Sequence, residues 1–415
     1  MKRLPSRLFG FSILLSLLLS SLMAFAPAPA PKSAPAAAKD DTWVIMLYQD
    51  ADDPVLEGDI FTDLNEAEWV GSSDNVTIVS LIDRYDGEFD GDGDWTDTRR
   101  YVLQKDSDLL TTNSEYEEMG ELDMGDPQTL VDFATWAIET YPASKYALIL
   151  SDHGGGYTGG WSDPVPEEGS DLSVNEIDEA LNQIVTQSGI GQFELLGFDA
   201  CLMAHIEPIL GVSPFARYIV ASEQTEPAVG WAYANFLTAL TENPSMTGKE
   251  LASVIVDGYI IEDVYYANDR AGGVDESAGV TLTAFDTSAA SELNDAVNAL
   301  AVALSNPDIS PQAVAAARSY AQSFSSVFGD EYPSPFIDLL SFTKILSQQV
   351  KDPDVLSAVS DIEAAMSKMV ITEKHGKQLP GAQGLVIFFP TSDIADWATN
   401  DDYPYEISRF STASL

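Results

Sequence analysis

The 415-residue chain contains 66 acidic and 20 basic side chains, so its formal net charge at neutral pH is −46. A charge of this sign repels nucleic acids and anionic membrane surfaces, so we exclude both as partners. The charge favours cationic partners, such as calcium ions or basic peptides. Alternatively, it serves only to keep the protein soluble in a salty or extracellular setting. Hydrophobic residues make up 45% of the chain and aromatic residues 10%, which is typical of a folded globular protein.

The amino terminus has the layout of a secretory signal peptide. Three basic residues precede an apolar run over residues 8–25, and an Ala- and Pro-rich segment follows. Gly10 and several serines interrupt the run, so we expect no stable membrane span in the mature protein. Cleavage is expected after Ala26 or further on, after Ala36 or Ala38. We therefore predict a leader over residues 1–38 and export to the periplasm, the cell surface or the medium.

Strand and helix patterns alternate over residues 41–245. Continuous apolar runs predict strands that are buried on both faces. These predicted strands are Trp43–Tyr48, Val76–Ile82, Thr98–Leu103, Tyr146–Leu150, Phe193–Phe198 and Arg217–Ser222. Apolar residues at helical spacing predict the helices Ile60–Trp69, Pro127–Thr140 and Ser173–Ile184. Ser173 and Glu176 form a capping-box pattern at the start of the last helix. The alternation predicts an α/β core with a mainly parallel sheet flanked by helices, and Thr98–Leu103 is expected to pair back as a hairpin.

Residues 246–415 are richer in helical patterns. The predicted helices are Gly248–Asn268, Ser288–Ser305, Ser310–Ser326 and Pro353–Met369. Two late strands are predicted at Gly279–Phe285 and Gly384–Phe389. This helix-rich region is expected either to form a separate domain or to pack back onto the core.

The only cysteine and one of the three histidines each follow a predicted strand. His153 comes three residues after Tyr146–Leu150, and Cys201 comes three residues after Phe193–Phe198. The carboxyl ends of parallel strands meet at one edge of a sheet, so we expect the two side chains to lie close together. A thiol needs a base or a lowered pKa to act as a nucleophile, and His153 can accept its proton or stabilise the thiolate. The pair predicts nucleophilic catalysis by cysteine.

The neighbours of this pair support that interpretation. The glycines at 154–156 leave backbone amides free to hold an oxyanion, and a helix beginning at Cys201 would lower the pKa of the thiol. A lone cysteine or histidine is more often structural, but the separation of this pair is similar to the gap of about 50 residues in caspases. His205 is a competing base, which we interpret as structural because a shared helix face would leave little room for a substrate. His375 is interpreted as a surface residue.

Two blocks of sequence resemble the active-site blocks of clostripain-like cysteine peptidases. They are Ser151–Gly156, which contains the histidine, and Gly197–Ala204, which contains the cysteine. Further similarity lies in Trp43–Tyr48, Gly91–Trp95 with Arg99–Tyr101, Ala221–Trp231 and Gly384–Pro390. The resemblance spans roughly residues 41–395, and its specific part is the His-Gly and Asp-Ala-Cys pair.

This resemblance implies a caspase-like α/β sandwich that hydrolyses peptide bonds through an acyl-enzyme, with no cofactor required for the chemistry. It implies that Cys201 is the nucleophile and His153 its partner. The oxyanion donors would be the amides of Gly154 and Cys201.

The resemblance also implies the substrate-binding residues. Asp199 corresponds to the acidic residue that lines the first specificity pocket and selects arginine or lysine before the cut. A carboxylate there discriminates strongly for a cation. The alternative is that Asp199 caps the helix predicted after Cys201. Ser222 and Trp231 are predicted to contribute to substrate binding.

The chain departs from the family in one respect. Relatives are often matured by cleavage after a basic residue between the histidine and cysteine blocks, but residues 146–216 contain no Lys or Arg. Self-processing at a basic site in that segment is therefore excluded. The enzyme either acts as a single chain or is cut by another protease.

An acidic loop at residues 86–97 follows a calcium-loop pattern. The sixth position of the pattern requires glycine and is occupied by Gly91. The twelfth is usually glutamate but is aspartate here, Asp97. The flanks are predicted strands, so the loop would not be a true EF-hand, and a solvated hairpin tip is the alternative. The candidate ligands are Asp86, Glu88, Asp90, Asp92, Asp94 and Asp97.

Two functions are compatible with the sequence. The first is an exported cysteine endopeptidase that cuts peptides or proteins after arginine or lysine. The second is a non-catalytic acidic protein that binds calcium or partners on a caspase-like scaffold. The intact pair of His153 and Cys201 favours the first. The sequence does not predict an oligomeric state.

Overall fold

The protein is described by a computed structural model over residues 40–87, 89–93, 95–165, 170–261, 276–328 and 332–391. Its strands are β1 Trp43–Ala51, β2 Val76–Arg84, β3 Thr98–Val102, β4 Tyr116–Gly120, β5 Lys145–Ser151, β6 Gly160–Asp163, β7 Ser170–Leu172, β8 Phe193–Asp199, β9 Ala216–Ala221, β10 Thr281–Asp286, β11 Phe336–Asp338, β12 Val370–His375 and β13 Val386–Phe388. Its α-helices are α1 Glu57–Val70, α2 Pro127–Thr140, α3 Val174–Ser188, α4 Ile206–Val212, α5 Tyr233–Glu242, α6 Gly248–Gly258, α7 Ala290–Leu304, α8 Pro311–Tyr320, α9 Leu339–Gln349 and α10 Pro353–Met369. Within these ranges, no helix is long and apolar enough to span a bilayer.

The described strands form one large sheet in the order β12-β10-β9-β8-β5-β1-β2-β3-β4. The central strands, from β9 to β2, run parallel to one another. The strands at both ends of the sheet are antiparallel to their neighbours. The carboxyl ends of β1, β5 and β8 therefore lie at one edge, where the loops that follow them meet.

Both faces of the sheet are buried, as the apolar runs predicted. Alternate residues of β1 pack into two different cores: Val44, Met46 and Tyr48 on one face, and Trp43, Ile45 and Leu47 on the other. Helices α2, α3 and α10 contribute to the first core, and α1, α5 and α6 contribute to the second. This arrangement holds the central strands rigidly and fixes the positions of their ends.

The carboxyl-terminal region contributes to the same sheet. β10 pairs with β9, and β12 pairs with β10. β11 and β13 form a small antiparallel sheet of their own. Their aromatic side chains join a third cluster that also contains Leu202, the residue after the candidate nucleophile. The boundary at residue 246 stays a prediction.

The predicted α/β architecture is confirmed. Helices Pro127–Thr140 and Pro353–Met369 have the predicted ends, and the capping box of α3 is present. Thr98–Val102 pairs antiparallel with β2, as expected of a hairpin. The helix predicted over Ser310–Ser326 ends early, at Tyr320, because the chain then turns to meet β11. For the helix predicted over Gly248–Asn268, the portion beyond residue 261 lies outside the described residues, as does the leader.

Candidate active site

A cleft opens at the sheet edge where β5 and β8 end side by side. Ser151 of β5 lies opposite Asp199 of β8 in the parallel register, so the chain segments after both strands leave the sheet together. The cleft has a volume of about 220 Å³ and is lined by both His153 and Cys201. The other lining residues are Val55, Leu56, Ile60, Asp63, Ser151, Asp152, Asp199, Ala200, Glu226, Pro227, Ala228 and Gly230.

Cys201 lies in a tight turn after β8, with its side chain partly buried. The next residue, Leu202, has a φ of 65°, a left-handed conformation that is uncommon for a bulky side chain. The turn is tied to the segment after β9, because the Leu202 amide donates to the Gln224 carbonyl at 3.2 Å. The Glu226 amide donates to the Cys201 Sγ, also at 3.2 Å. The thiol is thus held between the β8 turn and residues 224–226.

The prediction that a helix begins at Cys201 is wrong. Helix α4 begins at Ile206 and His205 is the residue that precedes it, so Asp199 does not cap this helix and the helix dipole does not act on the thiol. Burial instead raises the pKa of the Cys201 thiol, and the Asp199 charge raises this pKa further, although the Glu226 amide lowers it. A thiol with a raised pKa stays protonated at neutral pH, so it needs a base to become a nucleophile.

His153, the base predicted from the sequence, lines the same cleft. It lies in the loop after β5, with 51% of its side chain exposed, and its Nε2 is 3.5 Å from Asp53 Oδ1. Both His153 and Cys201 are described residues, and no hydrogen bond joins them. Hydrogen bonds between catalytic groups are often long in the absence of substrate and shorten in the complex.

Gly154 packs against the backbone of Cys201. A Cβ atom at position 154 would lie 2.1 Å from the Cys201 carbonyl oxygen and 3.1 Å from its nitrogen, so only glycine fits. Burial dominates the pKa of the Cys201 thiol and raises it, whereas the neighbouring Gly154 amide lowers it. The two amides predicted as oxyanion donors are therefore neighbours beside the thiol.

Asp199 lines the same cleft and is fixed in orientation. Its side chain is almost completely buried. Oδ2 accepts hydrogen bonds from the Tyr233 hydroxyl at 2.8 Å and from the Trp231 amide at 3.3 Å. The Tyr233 hydroxyl also contacts Ser151 Oγ at 3.0 Å. This network presents a carboxylate to the cleft two residues before the thiol.

The chain is similar in sequence and architecture to known proteins. A profile described as the clostripain family matches residues 47–412, which is most of the chain. The chain belongs to the clostripain family. Clostripain from Hathewaya histolytica is 24% identical to it over 400 residues, which cover 84% of this chain and 74% of that protein.

Two solved structures show the fold of this clostripain-family chain. One is a secreted C11 cysteine protease from Bacteroides thetaiotaomicron in complex with an irreversible peptide inhibitor, with a TM-score of 0.61, 17% identity, and coverage of 87% of this chain and 97% of that one. The other is an inactive zymogen C11 protease from Parabacteroides distasonis, with a TM-score of 0.60, 16% identity, and coverage of 89% and 98%.

Membership of the clostripain family makes the protein a cysteine-type endopeptidase that acts on peptides or proteins. Peptidases of this kind need no cofactor for their chemistry, since a thiol and a base suffice. The enzyme interpretation is confirmed, and the non-catalytic alternative is rejected.

Three further carboxylates line the cleft of this clostripain-family peptidase and are absent from the predicted site: Asp152, from the loop after β5, and the two described next. Asp63 comes from α1 and Glu226 from the segment after β9. A Cβ atom at Gly230 would lie 2.7 Å from Asp63 Oδ2 and 3.1 Å from Asp199 Oδ2, so these two carboxylates flank the glycine. Burial raises the pKa of Glu226 well above its usual value, and the Asp199 charge raises it further. Burial and the neighbouring Asp199 charge thus both favour the protonated form of Glu226.

Ser222 and Trp231 are buried and lie behind the cleft. The Ser222 hydroxyl bonds to the Thr281 backbone and side chain at 2.7 and 2.9 Å, which ties the segment after β9 to β10. The Trp231 indole donates to Glu226 Oε2 at 3.1 Å, and its amide reaches Asp199. Trp231 thus contacts two residues that line the cleft, so the role predicted for it would be exerted through them. The Ser222 hydroxyl bonds to Thr281 and Gln224, which do not line the cleft, and its role in substrate binding stays a prediction.

The other two histidines do not line the cleft. His205 is fully buried, its ring packs edge-on against Phe336 at 4.3 Å, and burial lowers its pKa to about 3. It is therefore neutral and a poor proton acceptor. His375 lies at the exposed end of β12, where it contacts Glu373.

The predicted calcium loop is only partly described. Glu88 and Asp94 lie outside the described residues. Asp92 accepts a hydrogen bond from Thr112, and Asp97 pairs with Arg99. Among the described residues, no three acidic, histidine or cysteine side chains, including Asp86 and Asp90, are grouped so that they could hold a metal ion. Calcium binding by this loop stays a prediction.

Proposed function

We propose that this clostripain-family peptidase cuts peptide bonds after arginine or lysine, with Cys201 as nucleophile and His153 as general base. The observation that carries the proposal is the fixed, buried Asp199 carboxylate in the cleft that also holds Cys201 and His153. A buried carboxylate binds a guanidinium or ammonium group strongly and rejects neutral side chains that leave it unpaired.

The pocket holds more carboxyl groups than Asp199 alone. Asp63 flanks Gly230 from the other side, and Glu226 lies next to Asp199. When a cationic side chain enters, its charge favours ionisation of Glu226 and weakens the repulsion between the carboxylates. Substrate binding and the charge of the pocket are thus expected to be coupled.

The chemistry follows from the groups around the thiol. As Cys201 Sγ attacks the scissile carbonyl, its proton passes to His153, and the new oxyanion accepts hydrogen bonds from the amides of Gly154 and Cys201. His153 then gives the proton to the leaving amine, and the carbon–nitrogen bond breaks to leave a thioester. Water, deprotonated by His153, hydrolyses the thioester and restores the thiol.

The proposal is tested with fluorogenic peptides that differ only in the residue before the cut: arginine, lysine, leucine or glutamate. The purified protein, kept reduced, should hydrolyse the first two and lose this activity in Cys201→Ala and in His153→Ala. Equal rates on all four peptides would contradict the specificity. Full activity in either variant would contradict the assigned catalytic pair.

Export is proposed on the layout of residues 1–38, and the Bacteroides relative is described as secreted. The amino-terminal sequence of the protein recovered from its native cells tests this directly. A mature terminus between residues 27 and 41 would support removal of the leader, whereas a terminus at Met1 would contradict it.

A further inference from the structure

Asp53, in the loop after β1, faces the candidate base. Its Oδ1 lies 3.5 Å from His153 Nε2, and 22% of the Asp53 side chain is exposed. We propose that Asp53 is a positioning residue that holds the His153 imidazole in the orientation needed for proton transfer. This inference rests on the proposed role of His153 and adds a third member to the catalytic machinery.

The Asp53 carboxylate is fixed before it meets the imidazole. Oδ1 accepts hydrogen bonds from the backbone amides of Val55 at 2.7 Å and Leu56 at 2.8 Å, and the Asp53 carbonyl accepts one from the Glu57 amide at 3.1 Å. These bonds tie the loop to the first turn of α1. A carboxylate held by two amides has little freedom to follow a moving partner, so the partner is oriented by it.

The first turn of α1 is in turn anchored to the sheet. Arg84, at the end of β2, is fully buried and donates to Glu57 Oε1 at 2.9 Å. Its guanidinium also stacks over the rings of Phe61 and Trp95. Asp53 is therefore placed by the ends of β1 and β2, whereas His153 is placed by the end of β5. The contact between them joins two independently fixed loops across the mouth of the cleft.

The contact determines which ring nitrogen serves the thiol. The 3.5 Å separation is an ion-pair distance, longer than a normal hydrogen bond. Because a carboxylate only accepts hydrogen bonds, closing this contact would favour the tautomer of His153 that carries its proton on Nε2. Nδ1 is then the free acceptor for the Cys201 proton, and the positive charge that forms on the ring lies beside a carboxylate. Without Asp53 the half-exposed ring can turn, and the other tautomer is no longer disfavoured.

The neighbouring acidic residue does not compete for this role. Asp152 Oδ2 accepts a hydrogen bond from the Ser162 amide at 3.0 Å. Burial raises the pKa of Asp152 well above its usual range and the Asp50 charge raises it further, whereas hydrogen bonds from the His153 and Ser162 amides lower it. Asp152 thus binds backbone groups of its own loop, and among the described residues Asp53 is the acidic side chain paired with the ring.

The test compares Asp53→Asn and Asp53→Ala with the wild type on an arginyl peptide. Asparagine still accepts backbone hydrogen bonds at the start of a helix, so Asp53→Asn removes the charge while preserving the loop. We expect kcat to fall about 10- to 100-fold in both variants, with KM changed less than about twofold, because a misplaced base slows chemistry and leaves binding intact. Asp53→Glu should recover part of the loss.

A matched control is Asp126→Asn. Asp126 precedes α2 and its Oδ1 accepts from the Gln128 amide at 2.8 Å, as Asp53 does at α1, but Asp126 does not line the cleft. This control should keep wild-type kcat. Wild-type kcat in Asp53→Asn, or a loss confined to KM, would overturn the inference. If Asp53→Ala unfolds, Asp53→Asn decides alone. A wild-type protein with no activity on any peptide would instead overturn the proposed function.

Discussion

The sharpest consequence of the cleft concerns the charge of Asp199. In Asp199→Asn, the amide oxygen can still accept from the Tyr233 hydroxyl and the Trp231 amide, so the local structure should persist. The change removes the negative charge that would pair with the substrate side chain. We therefore expect weaker hydrolysis after arginine and lysine, with little change for neutral residues.

The expected loss of activity in Asp199→Asn can be estimated from the burial of the ion pair between Asp199 and the substrate side chain. Removing one partner of a buried, hydrogen-bonded charge pair costs about 2–5 kcal/mol. Asp63 and Glu226 remain in the cleft, and a cationic side chain that enters it favours the ionised form of these carboxyl groups, which offsets part of the loss. The lower end of the range therefore applies, about 2–3 kcal/mol, which corresponds to a fall of about 30- to 150-fold in kcat/KM.

The assay uses two peptides that differ only in charge, with arginine or its uncharged analogue citrulline before the cut. The ratio of their kcat/KM values reports the charge recognition and cancels any general loss of activity. Asp199→Asn should reduce this ratio by the same factor.

The control for this substitution is Asp286→Asn, because Asp286 also ends a strand and accepts a backbone hydrogen bond, from Ser288 at 3.0 Å. It should leave the ratio unchanged. An unchanged arginine-to-citrulline ratio in Asp199→Asn would refute the reasoning and place the recognition of charge elsewhere.

Three other outcomes are expected. Gly154→Ala should abolish peptide hydrolysis, because the added Cβ would lie 2.1 Å from the Cys201 carbonyl oxygen. The control Gly191→Ala should retain hydrolysis, because a Cβ at that position meets nothing within 4 Å. An active Gly154→Ala variant would contradict the close packing of Gly154 against Cys201. Burial raises the pKa of Asp83 to about 9, so the folded state retains a proton that the unfolded state releases above about pH 4. Unfolding free energy should therefore fall between pH 5 and pH 8, by about 1.4 kcal/mol per pH unit from this group, and denaturant titrations of Asp83→Asn should show a smaller slope; an equal slope would exclude Asp83 as its source. Since thiol chemistry needs no metal, EGTA should change kcat less than about twofold; a loss that calcium restores would contradict this and direct attention to the loop at 86–97.

The sequence predicts the central fold well because its signals are local. β1 is buried on both faces, and its uninterrupted apolar run shows this without any knowledge of its neighbours. The capping box of α3 involves residues only three positions apart. His153 and Cys201 could be paired because the end of a parallel strand has a predictable location relative to its neighbours.

Short and long-range features could not be predicted in the same way. Strands β7 and β11 have only three residues each, too few to show a period. The turn at Cys201 resembles the start of a helix in sequence. The left-handed φ of Leu202 depends on its contacts with distant chain segments, including the Gln224 carbonyl.

The missed site residues have a similar explanation. Asp63 lies in α1 among alternating polar and apolar residues, where a carboxylate normally indicates a solvated helix face. It is buried because β1 lies next to β5, which brings α1 over the cleft. Asp53 precedes the same helix, where an aspartate is expected to accept hydrogen bonds from backbone amides. The sequence therefore gives no sign of its second contact, with His153. Glu226 is separated from β8 by a whole helix and strand.

The most direct test of the central claim is covalent labelling by a peptidyl chloromethyl ketone with arginine at its carboxyl end. Intact mass and peptide mapping should show one inhibitor per chain, bound to Cys201. Labelling should be prevented by a competing arginyl substrate and strongly reduced in His153→Ala. The citrulline analogue should react far more slowly. A label on another residue, or equal labelling by both inhibitors, would contradict the account of a thiol peptidase selective for basic residues.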